Sequence, residues 1–203
     1  VGDDLGGIAG AVEDALGGGL QKLADESEFK GKPGSTLVAP TFGKMAARRI
    51  ILAGIGDATK MSEEAVRRCY GAASVAAREA GARSLVAVLN DDHEGTLVQA
   101  VEGALMATYR FDKYFGTAHK TTGKDIDAIV FTGGFEEKAA KTAISVGEAV
   151  AGAVALARNL GNEPGSVIHP VEMAEQAKKV AKEHGFKIEI LGPPPTSGTR
   201  DSF

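Results

Sequence analysis

The sequence is poor in the residues that build disulfides, zinc sites and aromatic cores. Its 203 residues include one cysteine, no tryptophan and only 5% aromatic residues. The single Cys69 excludes an internal disulfide and any zinc site of the Cys-x-x-Cys type. It is predicted to be a small buried hydrophobe, the alternative being a reactive thiol whose pKa is lowered by Arg67 and Arg68.

An excess of positive charge and long apolar runs are also missing. The chain carries 23 basic and 27 acidic residues, a net charge of −4, which argues against a general binder of nucleic acid or anionic membranes. The longest weakly polar stretch, residues 143–160, is interrupted by Glu148 and Arg158, so no membrane span is predicted. We expect a cytoplasmic protein; because the sequence begins at Val1, an organelle location after removal of a targeting segment stays open.

Glycine, by contrast, is abundant, and helical and strand patterns alternate along the chain. The 27 glycines are about twice the usual ~7%. Hydrophobic spacing predicts helices over residues 5–23, 62–80, 94–108, 136–160 and 170–184, and strands over residues 35–39, 49–53, 84–89, 126–131 and 187–191. This alternation is typical of an α/β domain with a largely parallel sheet, although the first two strands, joined directly, allow one antiparallel pair.

The pair Gly133-Gly134 is the most interesting candidate for ligand chemistry. It lies between a predicted strand and a predicted helix, where exposed backbone N–H groups bind anions well. The same glycines allow a sharp turn, and Glu136 and Glu137 would occupy the positive end of the helix. An ordinary turn is therefore the preferred interpretation, and anion binding is the alternative.

Three further patterns are interpreted as ordinary turns. Gly54-Ile55-Gly56 lacks the third glycine of a dinucleotide-binding loop, and its helix begins too late. Residues 122–124, TGK, lack the first glycine of a P-loop and precede a strand instead of following one. Residues 91–94, DDHE, are adjacent in a turn and seldom converge on one ion. The other histidines are isolated in sequence, and no serine-nucleophile motif is present.

The most specific pattern stands near the C-terminus. Residues 157–164, ARNLGNEP, are followed by His169, Pro170 and a predicted helix. This stretch resembles the junction between the N-terminal and catalytic domains of the leucine (cytosol) aminopeptidases, hexameric two-metal exopeptidases. Asn159 stands where that family often has aspartate, and His169 replaces its usual threonine. Shorter similarities lie at residues 29–34, FKGKPG; 48–56, RRIILAGIG; and 109–114, YRFDKY.

The resemblance implies a fold and a domain division. It implies a three-layer, macro-domain-like α/β fold with a mostly parallel mixed sheet. Residues 1–163 would form the N-terminal non-catalytic domain, and residues 164–203 a linker and the truncated start of the catalytic domain. The tail after Leu191, GPPPTSGTRDSF, departs from the family pattern. The family's catalytic and metal-binding motifs belong to the later domain, so no catalytic, cofactor-binding or metal residue is carried over to this chain.

The same resemblance implies partners and a reaction for the complete family enzyme. That enzyme holds two divalent metals, Zn or Mn, and activates a water that attacks the N-terminal peptide bond. We expect a homo-oligomer, a hexamer in the family, and a peptide substrate only together with the catalytic domain. Membrane binding is not expected, and the acidic charge disfavours nucleic acid. The alternatives are a stand-alone macro-like module that binds ADP-ribose or another phosphate ligand, and an interaction or nucleic-acid-binding accessory domain.

Overall fold

The computed structural model describes residues 7–89, 96–116 and 125–192. The patterns at residues 91–94 and 122–124, and the tail from residue 193 onward, lie outside the described residues. The helices are α1 (Gly7–Leu16), α2 (Gly19–Glu26), α3 (Glu63–Glu79), α4 (Leu97–Thr108), α5 (Glu137–Asn162) and α6 (Pro170–His184). The strands are β1 (Thr36–Pro40), β2 (Arg49–Ala53), β3 (Ser84–Val88) and β4 (Ala128–Thr132). The predicted α/β class is confirmed.

The strands pair in two small sheets within the described part of the chain. β1 and β2 are antiparallel, with Val38 opposite Ile51, as their direct connection predicts. β3 and β4 are parallel, with Val86 opposite Val130, because α4 lies between them and forms the crossover that parallel strands need. The prediction of a mostly parallel sheet is therefore met by one of the two pairs.

The first predicted helix, residues 5–23, is divided into α1 and α2. Gly17 and Gly18 have φ angles of 65° and 79°, a left-handed conformation that costs glycine little and that ends α1. The Glu13 carboxylate accepts hydrogen bonds from the backbone N–H groups of Leu20 and Gln21 at 3.1 and 3.2 Å. It thereby satisfies free donors at the start of α2.

α3 begins and ends where its sequence predicts. The Ser62 side chain caps the helix by accepting a hydrogen bond from the Ala65 N–H at 3.2 Å, and acidic residues fill the first turn. The helix ends at Glu79, and Gly81 follows in a left-handed conformation, φ 75°.

The last predicted strand, residues 187–191, was a wrong prediction. In the structure these residues follow α6 and Gly185, and they form no ladder with any described residue. Alternation of side chains reports which faces of a strand would be apolar or polar. A ladder also needs the backbone of a second strand, which alternation alone does not supply.

The core is built from small aliphatic side chains in two clusters. One cluster joins α3, α4 and the end of β3, and α5 packs against it through Ala140, Ala143 and Ile144; its buried members are Val66, Leu89, Leu97, Ala100 and Val101. The other joins α1, α2 and β1 through Leu16, Leu20 and Ala39. With such small side chains, stability depends on a close approach of backbones.

The chain divides between Ala157 and Arg158 into two compact units. The predicted boundary at residues 163–164 stays a prediction. Among the described residues, α5 is long and apolar enough to cross a bilayer by length and composition, which the interruptions at Glu148 and Arg158 had argued against. A single helix of this length and composition does not by itself assign α5 a membrane role.

Candidate functional site

The Gly133-Gly134 loop is shaped by close packing. Leu89 donates a backbone hydrogen bond to the Thr132 carbonyl at 2.8 Å, which extends the β3–β4 pairing by one residue. A Cβ atom at Gly133 would lie 2.8 Å from the Leu89 carbonyl oxygen and from the ring of Phe135. Glycine is therefore required at position 133 for the chain to leave β4. This packing accounts for the glycine without a bound ligand.

A carboxylate occupies the helix end that an anion would use. Oε2 of Glu136 accepts a hydrogen bond from the Ala139 N–H at 2.8 Å, and Glu137 lies in the first turn of α5. These negative groups satisfy the positive end of the helix and repel an incoming phosphate. The geometry thus supports the interpretation of an ordinary turn.

The second glycine pattern, Gly54-Ile55-Gly56, packs against the segment that precedes β1. Gly54 donates to the Ser35 carbonyl at 2.8 Å, and Gly56 donates to the Gly31 carbonyl at 2.9 Å. A Cβ atom at Gly54 would lie 2.2 Å from the Lys32 carbonyl oxygen. Two of the short family-like motifs, residues 29–34 and residues 48–56, are therefore neighbours in the structure. Their backbones can approach this closely only because glycine stands at the contact.

Cys69 is a buried hydrophobe, as predicted. Its side chain is buried in α3, and Sγ lies 3.6 Å from the Ala53 carbonyl oxygen, to which it donates. Burial raises the pKa of the thiol to about 11. The alternative of a pKa lowered by Arg67 and Arg68 is wrong, because removal of the thiol from water disfavours its charged form and raises its pKa.

The family-like junction forms a turn between α5 and α6. α5 runs through the ARNLGN sequence to Asn162, and Pro164 then accepts backbone hydrogen bonds from Val167 and Ile168 at 2.8 and 3.0 Å. His169 is the N-cap residue of α6, and its imidazole Nδ1 contacts the Glu172 carboxylate. His169 thus stands in the capping position that the family resemblance gives to threonine.

An apolar groove of about 360 Å³ lies beside α6. It was not predicted from the sequence, although the apolar alternation at residues 186–190 is the pattern that could have revealed it. Its lining is Leu160, Met173, Gln176, Ala177, Val180, Ala181, Phe186, Lys187 and Ile188. Gln176 and Lys187 are the only polar side chains in this lining, which includes no carboxylate, histidine, cysteine or serine. The groove therefore suits contact with an apolar surface.

Within residues 7–89, 96–116 and 125–192, no three histidine, cysteine, aspartate or glutamate side chains lie where they could hold a metal ion. The described residues therefore do not fit the two-metal centre that the family resemblance implies for the complete enzyme.

Comparisons with known proteins agree on one family. The family model described as "Cytosol aminopeptidase family, N-terminal domain" matches residues 2–115. A protein of Alkaliphilus metalliredigens described as "Probable cytosol aminopeptidase" is 32% identical over 92% of this chain and 39% of its own length. One of Caulobacter vibrioides with the same description is 34% identical over 91% of this chain and 37% of its own length. The chain thus spans less than two fifths of these curated relatives.

Solved structures show the same fold. A mutant of tomato leucine aminopeptidase superimposes with a TM-score of 0.74 at 22% identity, covering 88% of this chain and 35% of that one. The bottromycin maturation enzyme BotP in complex with Mn gives a TM-score of 0.66 at 22% identity, covering 80% of this chain and 33% of that one. At this identity the likeness shows the fold alone.

Proposed function

The chain belongs to the cytosol aminopeptidase family and contains its N-terminal domain. From this premise we propose that the chain is the non-catalytic part of a two-metal exopeptidase and supplies none of its catalytic residues. The observation that carries the proposal is the match of residues 2–115 to the N-terminal domain of the family. The proposal is also supported by the length of the relatives, because this chain covers only 39% and 37% of two of them.

The complete enzyme of this proposal releases N-terminal amino acids from peptides. Two divalent metals, Zn or Mn, would supply the Lewis-acid chemistry for attack by water. Since no metal-binding cluster is found among the described residues of this chain, we assign it no step of the hydrolysis. The proposed role of the chain is structural. Its folded α/β unit would contribute contacts between the subunits of a homo-oligomer, which we propose to be a hexamer. The names of the relatives support a cytoplasmic location.

An activity assay tests the proposal directly. The purified 203-residue chain is incubated with leucine p-nitroanilide and Mn²⁺ or Zn²⁺, beside the full-length Caulobacter relative. We expect turnover by the relative and none by the chain. Metal-dependent release of p-nitroaniline by the chain, abolished by EDTA, would show that it holds its own catalytic centre.

Two further measurements examine the alternatives. Calorimetry with ADP-ribose should give no heat of binding, since Glu136 occupies the helix end beside Gly133-Gly134; measurable binding would favour a stand-alone phosphate-binding module. The intact mass of the native protein should be much larger than the 20.9 kDa of this chain. A native mass near that value would contradict the assignment to a larger exopeptidase.

A further inference from the structure

We draw no further inference here: the strongest candidate, the surface patch at the turn between β1 and β2, where Phe42 is 86% exposed at a left-handed φ of 51°, carries no proposal because nothing in the structure shows what covers it.

Discussion

Arg67 of α3 and Glu102 of α4 form an ion pair across the interface of the two helices, with Nε donating to Oε2 at 2.5 Å. The Glu102 side chain is only 7% exposed, whereas that of Arg67 is 32% exposed. The pKa of the Arg67 guanidinium is raised, first of all by this hydrogen bond. A carboxylate removed from water needs such a partner, so the two ends of the pair are not equivalent.

Removing the arginine should cost more stability than neutralising the acid. Arg67→Ala leaves the buried Glu102 carboxylate without its partner and should lower the free energy of unfolding by about 2–3 kcal/mol. Glu102→Gln keeps a hydrogen-bonding side chain and leaves a partly solvated guanidinium, for a loss of about 1 kcal/mol. Urea unfolding followed by circular dichroism measures both.

Arg68→Ala is the matched control, because the Arg68–Glu64 pair is largely exposed and should contribute less than about 0.5 kcal/mol. Equal losses at positions 67 and 68 would contradict this account.

Adding one methyl group should have opposite effects at two helical glycines. In Gly103→Ala the new Cβ would lie 2.2 Å from the Arg67 carbonyl oxygen, so α3 and α4 must separate, at about 2–3 kcal/mol. In Gly152→Ala the new Cβ meets nothing within 4 Å, and the gain in helix propensity should stabilise the chain by about 0.5–1 kcal/mol. Thermal unfolding of both variants checks the prediction, which fails if Gly103→Ala is tolerated without loss.

Stability should fall at alkaline pH. The Cys69 thiol has a pKa of about 11 in the folded chain, raised by burial, against about 8.5 for an exposed thiol. The unfolded chain therefore releases its proton first, so the stability is fully present below about pH 8.5 and is lost as the pH rises toward 11. Between pH 8 and pH 10 we expect a loss of about 1–2 kcal/mol, measured from urea midpoints.

The control for this pH dependence is Cys69→Ala, which removes the titrating thiol and should flatten the loss between pH 8 and pH 10. Burial also raises the pKa of Tyr70, whose hydroxyl donates to the Val88 carbonyl at 2.8 Å. Its phenol adds to the loss of stability only above about pH 10. An unchanged pH profile in Cys69→Ala would assign the effect to other groups.

The start of α5 should depend on one of two adjacent glutamates. Glu136→Ala removes the carboxylate that accepts from the Ala139 N–H at 2.8 Å and should lower the free energy of unfolding by about 1 kcal/mol. Glu137→Ala removes an exposed pair with Lys141 and a carboxylate in the first turn of α5 that accepts no backbone hydrogen bond from a described residue, for about 0.3–0.5 kcal/mol. Denaturant unfolding of the two variants side by side separates the cap from the surface pair. A larger loss at position 137 would be the contrary result.

Local sequence was sufficient wherever the decisive contacts lie within a few residues. Ser62 and Gly81 mark the start and end of α3 because a cap and a left-handed stop act on their own helix. Gly17 and Gly18, by contrast, divide a helix that the apolar spacing alone had joined. That spacing indicates which side of a helix is buried, but it carries no information on the φ angle of a single glycine.

The sequence by itself determined the α/β class, the connection of β1 to β2, and the family, because each can be recognised from short patterns of residue type. Only the tertiary structure decided which residues meet across the chain: Glu102 with Arg67, and Gly103 with the Arg67 carbonyl. It also left residues 187–191 without a ladder among the described residues. The physical reason is that helices and turns are stabilised by neighbours in sequence, whereas ion pairs and sheets need a partner that only folding or association brings near.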